Sequence, residues 1–66
     1  MFFLCINNVQ IRTYRRKESA VAAVKRDYSL CDEPIDILDC DQTGRIIREW
    51  TWIKQSQRFL RVWRGK

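Results

Sequence analysis

The 66-residue chain has no histidine, only three cysteines, two glycines and one proline. Without histidine, general acid–base work would fall to Asp, Glu, Lys, Tyr or Cys. Glu49 and the three thiols are the candidates near apolar sequence, and nothing sets a base beside a thiol, so a non-enzymatic protein with no cofactor is expected. Cys5, Cys31 and Cys40 are odd in number and unevenly spaced, with no C-x-x-C. This argues against a disulfide framework and against a zinc site. Reduced thiols filling the core of a cytoplasmic protein are expected instead. Long hydrophobic runs are also lacking. The opening M-F-F-L-C-I is too short for a signal-peptide core and has no basic lead. Nothing approaches the ~20 apolar residues of a membrane span, so no membrane partner is expected. Repeats, linkers and low-complexity segments are missing as well.

Acidic residues are the scarcer charge, 8 against 13 basic, for a net charge of +5. They are also segregated. Residues 1–26 carry six bases and one acid, 27–44 carry six acids and no base, and 45–66 carry seven bases and one acid. An acidic strand beside a basic hairpin would neutralise part of this internally. The excess is available to an anionic partner, either a phosphate backbone or an acidic protein surface.

Sixty-six residues make a single domain, residues 1–66, and a 45% hydrophobic fraction favours a folded chain. Such a short chain buries only ~60% of its unfolded surface and has room for one sheet and one helix. The opening Met1 leads to the expectation of a complete small gene product.

The densest stretch is Arg45–Arg64, which holds all three tryptophans and six of the basic residues. Two runs rich in β-branched and aromatic residues, Arg45–Ile53 and Arg58–Arg64, flank the polar Lys54-Gln55-Ser56-Gln57, which is a strand–loop–strand pattern. A four-residue loop sets Ile53 opposite Arg58, Trp52 opposite Phe59, Trp50 opposite Arg61 and Arg48 opposite Trp63. Opposed residues share a face. One face then carries Arg48, Trp50, Trp52, Phe59, Arg61 and Trp63. The other carries Ile47, Glu49, Thr51, Ile53, Leu60 and Val62, with Arg58 and Arg64 at its ends. The aliphatic face reads as core and the Arg/Trp face as a surface that can stack bases or anchor a protein. The plainer alternative is that these pairs only stabilise the sheet, Arg stems covering the rings. An odd-numbered loop would mix the faces.

Phe2–Ile6 reads as a strand. Asn7-Asn8 suits a two-residue turn, since Asn tolerates positive φ; the alternative is one long strand bulged at the asparagines. Val9–Tyr14 alternates, with Val9, Ile11 and Thr13 on one face. Arg12, Arg15, Arg16 and Lys17 form a basic cluster leading into a helix, a phosphate-contact candidate or simply a solvated surface. Ser19 could cap that helix, or the helix starts a few residues earlier. Val21, Val24, Tyr28 and Cys31 fall at helical spacing on one side, with Lys25 and Arg26 facing away. Asp32-Glu33-Pro34 ends it. Ile35–Asp41 is the next strand, and Gln42-Thr43-Gly44 suits a three-residue loop with Gly44 left-handed. That register sets Cys40 opposite Ile46, Leu38 opposite Arg48 and Asp36 opposite Trp50, which places Ile35 and Ile37 with Ile47 and Ile53 on the helix side. The layout is ββαβββ: an α+β domain with an antiparallel sheet and one helix packed on one face.

Asp39-Cys40-Asp41-Gln42-Thr43 resembles, over five residues, the D-x-D-x-T nucleophile motif of haloacid-dehalogenase-type phosphatases. That fold needs a parallel sheet, a distant Lys and further acids, which 66 residues do not supply. The same residues with Gly44 look like the first half of an EF-hand loop, but Trp50 stands where the bidentate Glu is required. A tight β-turn accounts for Asp41 and Gly44 without a metal.

Ser19-Ala20, Ala23, Lys25-Arg26, the strand Ile35-x-Ile37 and the Gly44 turn, within a free-standing ββαβββ chain, resemble small phage-encoded anti-CRISPR proteins. The resemblance is one of layout and covers about half the chain; the Arg/Trp hairpin has no counterpart in it. It implies an inhibitor that sits on basic or nucleic-acid-reading surfaces of an RNA-guided complex, or engages the nucleic acid. Three expectations follow for function. The first is an inhibitor or adaptor docking on a larger protein or ribonucleoprotein complex, anchored by Trp50, Trp52, Phe59 and Trp63 and rimmed by Arg48, Arg58 and Arg61. The second is a protein that binds DNA or RNA directly, with phosphates held by Arg12, Arg15, Arg16 and Lys17. In the third, a homodimer buries the Trp face, and the chain is otherwise a monomer.

Overall fold

The computed structural model describes residues 1–63. Its order is β1 (Phe2–Ile6), β2 (Val9–Tyr14), α1 (Lys17–Ala23), β3 (Ile35–Cys40), β4 (Ile46–Ile53) and β5 (Arg58–Arg61), with α1 running on as a wider π-helical turn over Val24–Tyr28. The five strands form one sheet in the order β2-β1-β3-β4-β5, antiparallel throughout. The α+β layout expected from the sequence is the one observed.

Local chemistry explains the connections. Asn7 and Asn8 both have positive φ (53° and 66°), the conformation a two-residue hairpin turn needs, so the hairpin alternative holds. The next turn is built around Asp41. Its Oδ1 accepts hydrogen bonds from the Thr43 amide (2.9 Å), the Thr43 hydroxyl (2.6 Å) and the Arg45 amide (3.0 Å), while Gly44 supplies φ 87°. These bonds hold the Asp41 carboxyl below the usual carboxylate range, the Thr43 hydroxyl contributing most. The third hairpin has the expected four-residue loop and the expected register: Ile53↔Arg58, Trp52↔Phe59 and Trp50↔Arg61. Arg64 lies outside the described residues, and β5 ends before Trp63, so the expected Arg48–Trp63 pair is not part of the ladder.

The helix starts earlier than Ser19, with Arg16 in the N-cap position and no side-chain cap. Ala20, Ala23 and Val24 are buried, and Val21, Tyr28 and Cys31 pack against the core from its edge. Of the expected stripe Val24 is fully buried and the other three are partly so, while Ala20 and Ala23 complete the inward side. Its outer residues Lys25 and Arg26 are exposed.

Which sheet face the helix covers differs from expectation. The loop at 42–44 and the pair Cys40↔Ile46 are as expected, but the register then shifts, and Asp39 pairs with Arg48. Ile47 is the extra residue of a β-bulge, and one extra residue moves every later side chain to the opposite partner face. Ile37 therefore pairs with Trp50, Leu38 with Glu49 and Asp36 with Thr51, not Asp36 with Trp50. Ile35 and Ile37 share their face with Trp50 and Trp52, and the helix packs there. The core comprises Leu4, Ala20, Val24, Ile35, Ile37, Trp50 and Trp52, while Ile46, Ile47 and Leu60 are left about half exposed. The physical reason is area. Each indole buries ~150–250 Å², at ~25 cal/mol per Å², and the single helix covers more apolar surface over two tryptophans than over the isoleucines.

Candidate functional site: a cationic edge around Trp50

Trp50 and Trp52 of the Arg/Trp row pack into one core cluster with Ala20 and Val24 of the helix, and Phe59 packs against it, so that part of the row is structural. Trp50 and Trp52 are each only 8% exposed. Trp52 packs its ring against Phe59 at 5.1 Å between centroids, and Phe2 approaches Trp50 at 6.1 Å. With so little surface in solvent, neither indole is free to stack a base. Trp63 is the exception, at 77% exposed.

What reaches solvent is a rim of cations. Lys17, the first residue of α1, sets its Nζ 4.7 Å from the Trp50 ring centroid. The guanidinium of Arg48 lies at 5.5 Å and that of Arg61 at 5.7 Å from the same ring. Arg61 also lies 4.2 Å from the ring of Trp63, so it bridges the buried indole to the exposed one. The ring faces attract the cations by ~0.5–1 kcal/mol each, which orders three side chains that would otherwise spread apart.

Charge compensation at this rim is sparse. Arg48 is paired with Asp39, which is 4% exposed. Among the described residues, Lys17, Arg61, Arg15 and Arg16 have no carboxylate within ion-pair distance. A shallow recess of 370 Å³ opens beside the ring, lined by Phe2, Arg15, Arg16, Lys17, Glu18, Arg48 and Trp50. Three converging cations repel one another, and an anion laid across them relieves that repulsion.

The structure thus brings together Arg15, Arg16, Lys17, Arg48, Trp50, Arg61 and Trp63 from the residues singled out in the sequence. It separates the others. Arg58 stands opposite Ile53, on the sheet face away from the helix. Trp52 and Phe59 belong to the core. Arg12 lies opposite Leu4 and acts electrostatically on Asp27. Sequence reasoning missed Asp39, whose alternation with Ile37 and Ile35 was the available signal, and Phe2.

Two of the thiols, Cys5 and Cys40, are buried. Burial pushes Cys5 up, reinforced by Asp36 and Cys40; burial and then Asp39 push Cys40 up. Both stay protonated at neutral pH. In the Asp39-to-Thr43 segment, Asp39 is paired with Arg48 and Asp41 accepts its bonds from the hairpin turn itself. Among the described residues, no helix is long and apolar enough to cross a membrane. Compared with known proteins, the chain has no matching family model, and no curated protein or solved structure matches it significantly.

Proposed function

We propose that the chain is a non-enzymatic basic binding protein, an inhibitor or adaptor that docks on an anionic surface of a larger protein or nucleoprotein complex. The observation that carries this reading is the convergence of Lys17, Arg48 and Arg61 within 5.7 Å of one indole, with Arg48 ion-paired to Asp39. Cations held in place before binding lose less side-chain freedom when they meet carboxylates or phosphates. Arg15 and Arg16 extend the rim along the recess. The layout shared with small anti-CRISPR proteins supports the inhibitor form of this role.

Direct binding of nucleic acid is the second reading. It is favoured by Trp63, exposed and with the Arg61 guanidinium over its ring, a pairing suited to one base and its phosphate.

Capture from the native host with wild type and with Lys17→Glu/Arg61→Glu tests the first reading. The expected result is a recovered complex that the double variant loses. Equal recovery by the variant would remove this edge as the docking site. Titration against single- and double-stranded DNA and RNA at several salt concentrations separates the second reading. Tight binding with a steep salt slope would favour it, and no binding at low salt would end it.

A further inference from the structure

β4 runs past the end of β5. The last pair of their ladder is Trp50 with Arg61, and Ile46, Ile47 and Arg48 lie beyond it on β4. Beside them is a recess of 160 Å³, lined by Ile46, Ile47, Arg48, Glu49, Arg61, Val62 and Trp63. That volume is close to the ~150 Å³ that encloses one benzene ring. The lining has two characters. Ile46 and Ile47, each 51% exposed, and Trp63 are apolar. Arg48 and Arg61 are cationic.

We propose that this recess is a subsite for one nucleotide of a single-stranded nucleic acid, with the base against Trp63 and its phosphate on Arg61 and Arg48. The inference rests on the direct nucleic-acid reading above and deepens it, naming the form of the strand and the residues that hold a base. Three observations support it. The first is an orphan donor. Nε of Arg61 is buried with no hydrogen-bond partner, and Arg61 has no carboxylate within ion-pair distance among the described residues. A group in that condition calls for an acceptor, and a phosphate accepts two parallel bonds from a guanidinium. The second is the ring. Arg61 lies 4.2 Å from the centroid of Trp63, yet the residue stays exposed, which leaves ring surface for a flat partner. Stacking on an aromatic side chain needs no more than such a surface.

The third observation is the distribution of charge. Glu49 follows Arg48 along β4, and strand alternation sends the two side chains to opposite sides. A ligand that is anionic along its whole length, such as an acidic peptide, meets that carboxylate. A nucleotide turns a neutral ring to it and keeps its charge for the arginines. Arg48 also lines the neighbouring recess with Arg15, Arg16 and Lys17, so the next phosphates of the strand have a cationic path. A duplex suits this arrangement poorly, because its bases are already stacked and must be extruded to reach a ring.

Titration of the full chain at low salt tests the proposal. The probes are a thymidylate octamer, an abasic deoxyribose-phosphate octamer of the same charge, a blunt duplex and octaglutamate, with thymidine 5′-monophosphate as a competitor. Anisotropy of end-labelled probes reads affinity, and Trp63 emission reads stacking. The thymidylate octamer should bind about 10-fold tighter than the abasic strand, the share of one stacked base, and should quench Trp63. Trp63→Ala, with an unchanged far-UV spectrum to verify its fold, should erase that difference and keep the charge-driven binding that both strands share. Lys17→Glu should weaken both strands alike. Equal binding of the two strands by wild type would overturn the subsite and leave the nucleic-acid reading standing. A duplex or octaglutamate that quenches Trp63 at the same concentrations as the thymidylate octamer would overturn the choice of a single strand, as would a monophosphate that competes as tightly as the octamer binds. No binding of any nucleic acid would end the reading and the inference together.

Discussion

Arg48 lies directly across the β3–β4 ladder from Asp39 and donates from both Nε and Nη2 to the same carboxylate oxygen, at 2.8 and 2.6 Å. The bulge at Ile47 creates this pairing; a regular ladder would set Arg48 against Leu38. The carboxylate side chain is 6% exposed and the arginine 47%, so the arginine keeps a buried charge satisfied while its outer edge stays in the cationic rim. Arg48→Ala leaves that carboxylate buried without its partner. It should cost about 1–3 kcal/mol, below the full penalty of a wholly buried pair because Arg48 is half solvated. Urea unfolding measures it. Asp39→Leu/Arg48→Met should regain most of the loss, and a shift under ~0.5 kcal/mol for Arg48→Ala would contradict the account.

The three tryptophans should separate sharply. A domain of this size has only about 3–10 kcal/mol of stability. Trp50→Ala removes a core indole at a cost of about 3–5 kcal/mol and should leave much of the chain unfolded at room temperature. Trp63→Ala, on an exposed ring, should stay within ~0.5 kcal/mol. Iodide quenching of the tryptophan emission gives an independent readout, with one accessible fluorophore expected in wild type and none in Trp63→Ala.

Deleting Ile47 should be tolerated. The deletion takes out the bulge's extra residue and leaves a regular ladder in which Cys40 still meets Ile46 and Asp39 still meets Arg48. Everything after it keeps its face. Cross-strand Hα–Hα contacts between Ile37 and Trp50 positions, or their amide neighbours, should survive in nuclear magnetic resonance spectra. Collapse of the fold on this deletion would show that the bulge is required for more than register.

Acid should loosen the β3–β4 turn. The Asp41 carboxyl titrates lower in the fold than in the unfolded chain because Thr43 and Arg45 donate hydrogen bonds to its charged form. Its contribution to stability is therefore full at neutral pH. It declines as the pH falls below the ordinary carboxylate range near ~4 and is lost below the folded value. Asp41→Asn should flatten that part of the stability–pH curve relative to wild type. Equal acid sensitivity in both would mean that other carboxylates govern it.

Much of the fold was legible in the residues themselves. Asn7-Asn8, Asp41 through Gly44, and Lys54 through Gln57 specify their turns by local chemistry. The alternation in 50–53 and 58–61 determines the third hairpin down to its register, and the spacing of Val21, Val24, Tyr28 and Cys31 marks the buried side of the helix. The cationic cluster was also visible as charge, in Arg15, Arg16, Lys17, Arg48 and Arg61. What only the tertiary structure decided is which face of the sheet the helix covers, and hence that Trp50 is a buried hub for Lys17, Arg48 and Arg61 and not an exposed platform. Turns and alternation depend on neighbours a few residues away. The choice of face depends on a competition for one helix between Trp50, Trp52, Ile35 and Ile37 acting together and Ile46, Ile47 and Leu60 acting together. A single extra residue at Ile47 lets the larger set win, and no local pattern around that residue announces it.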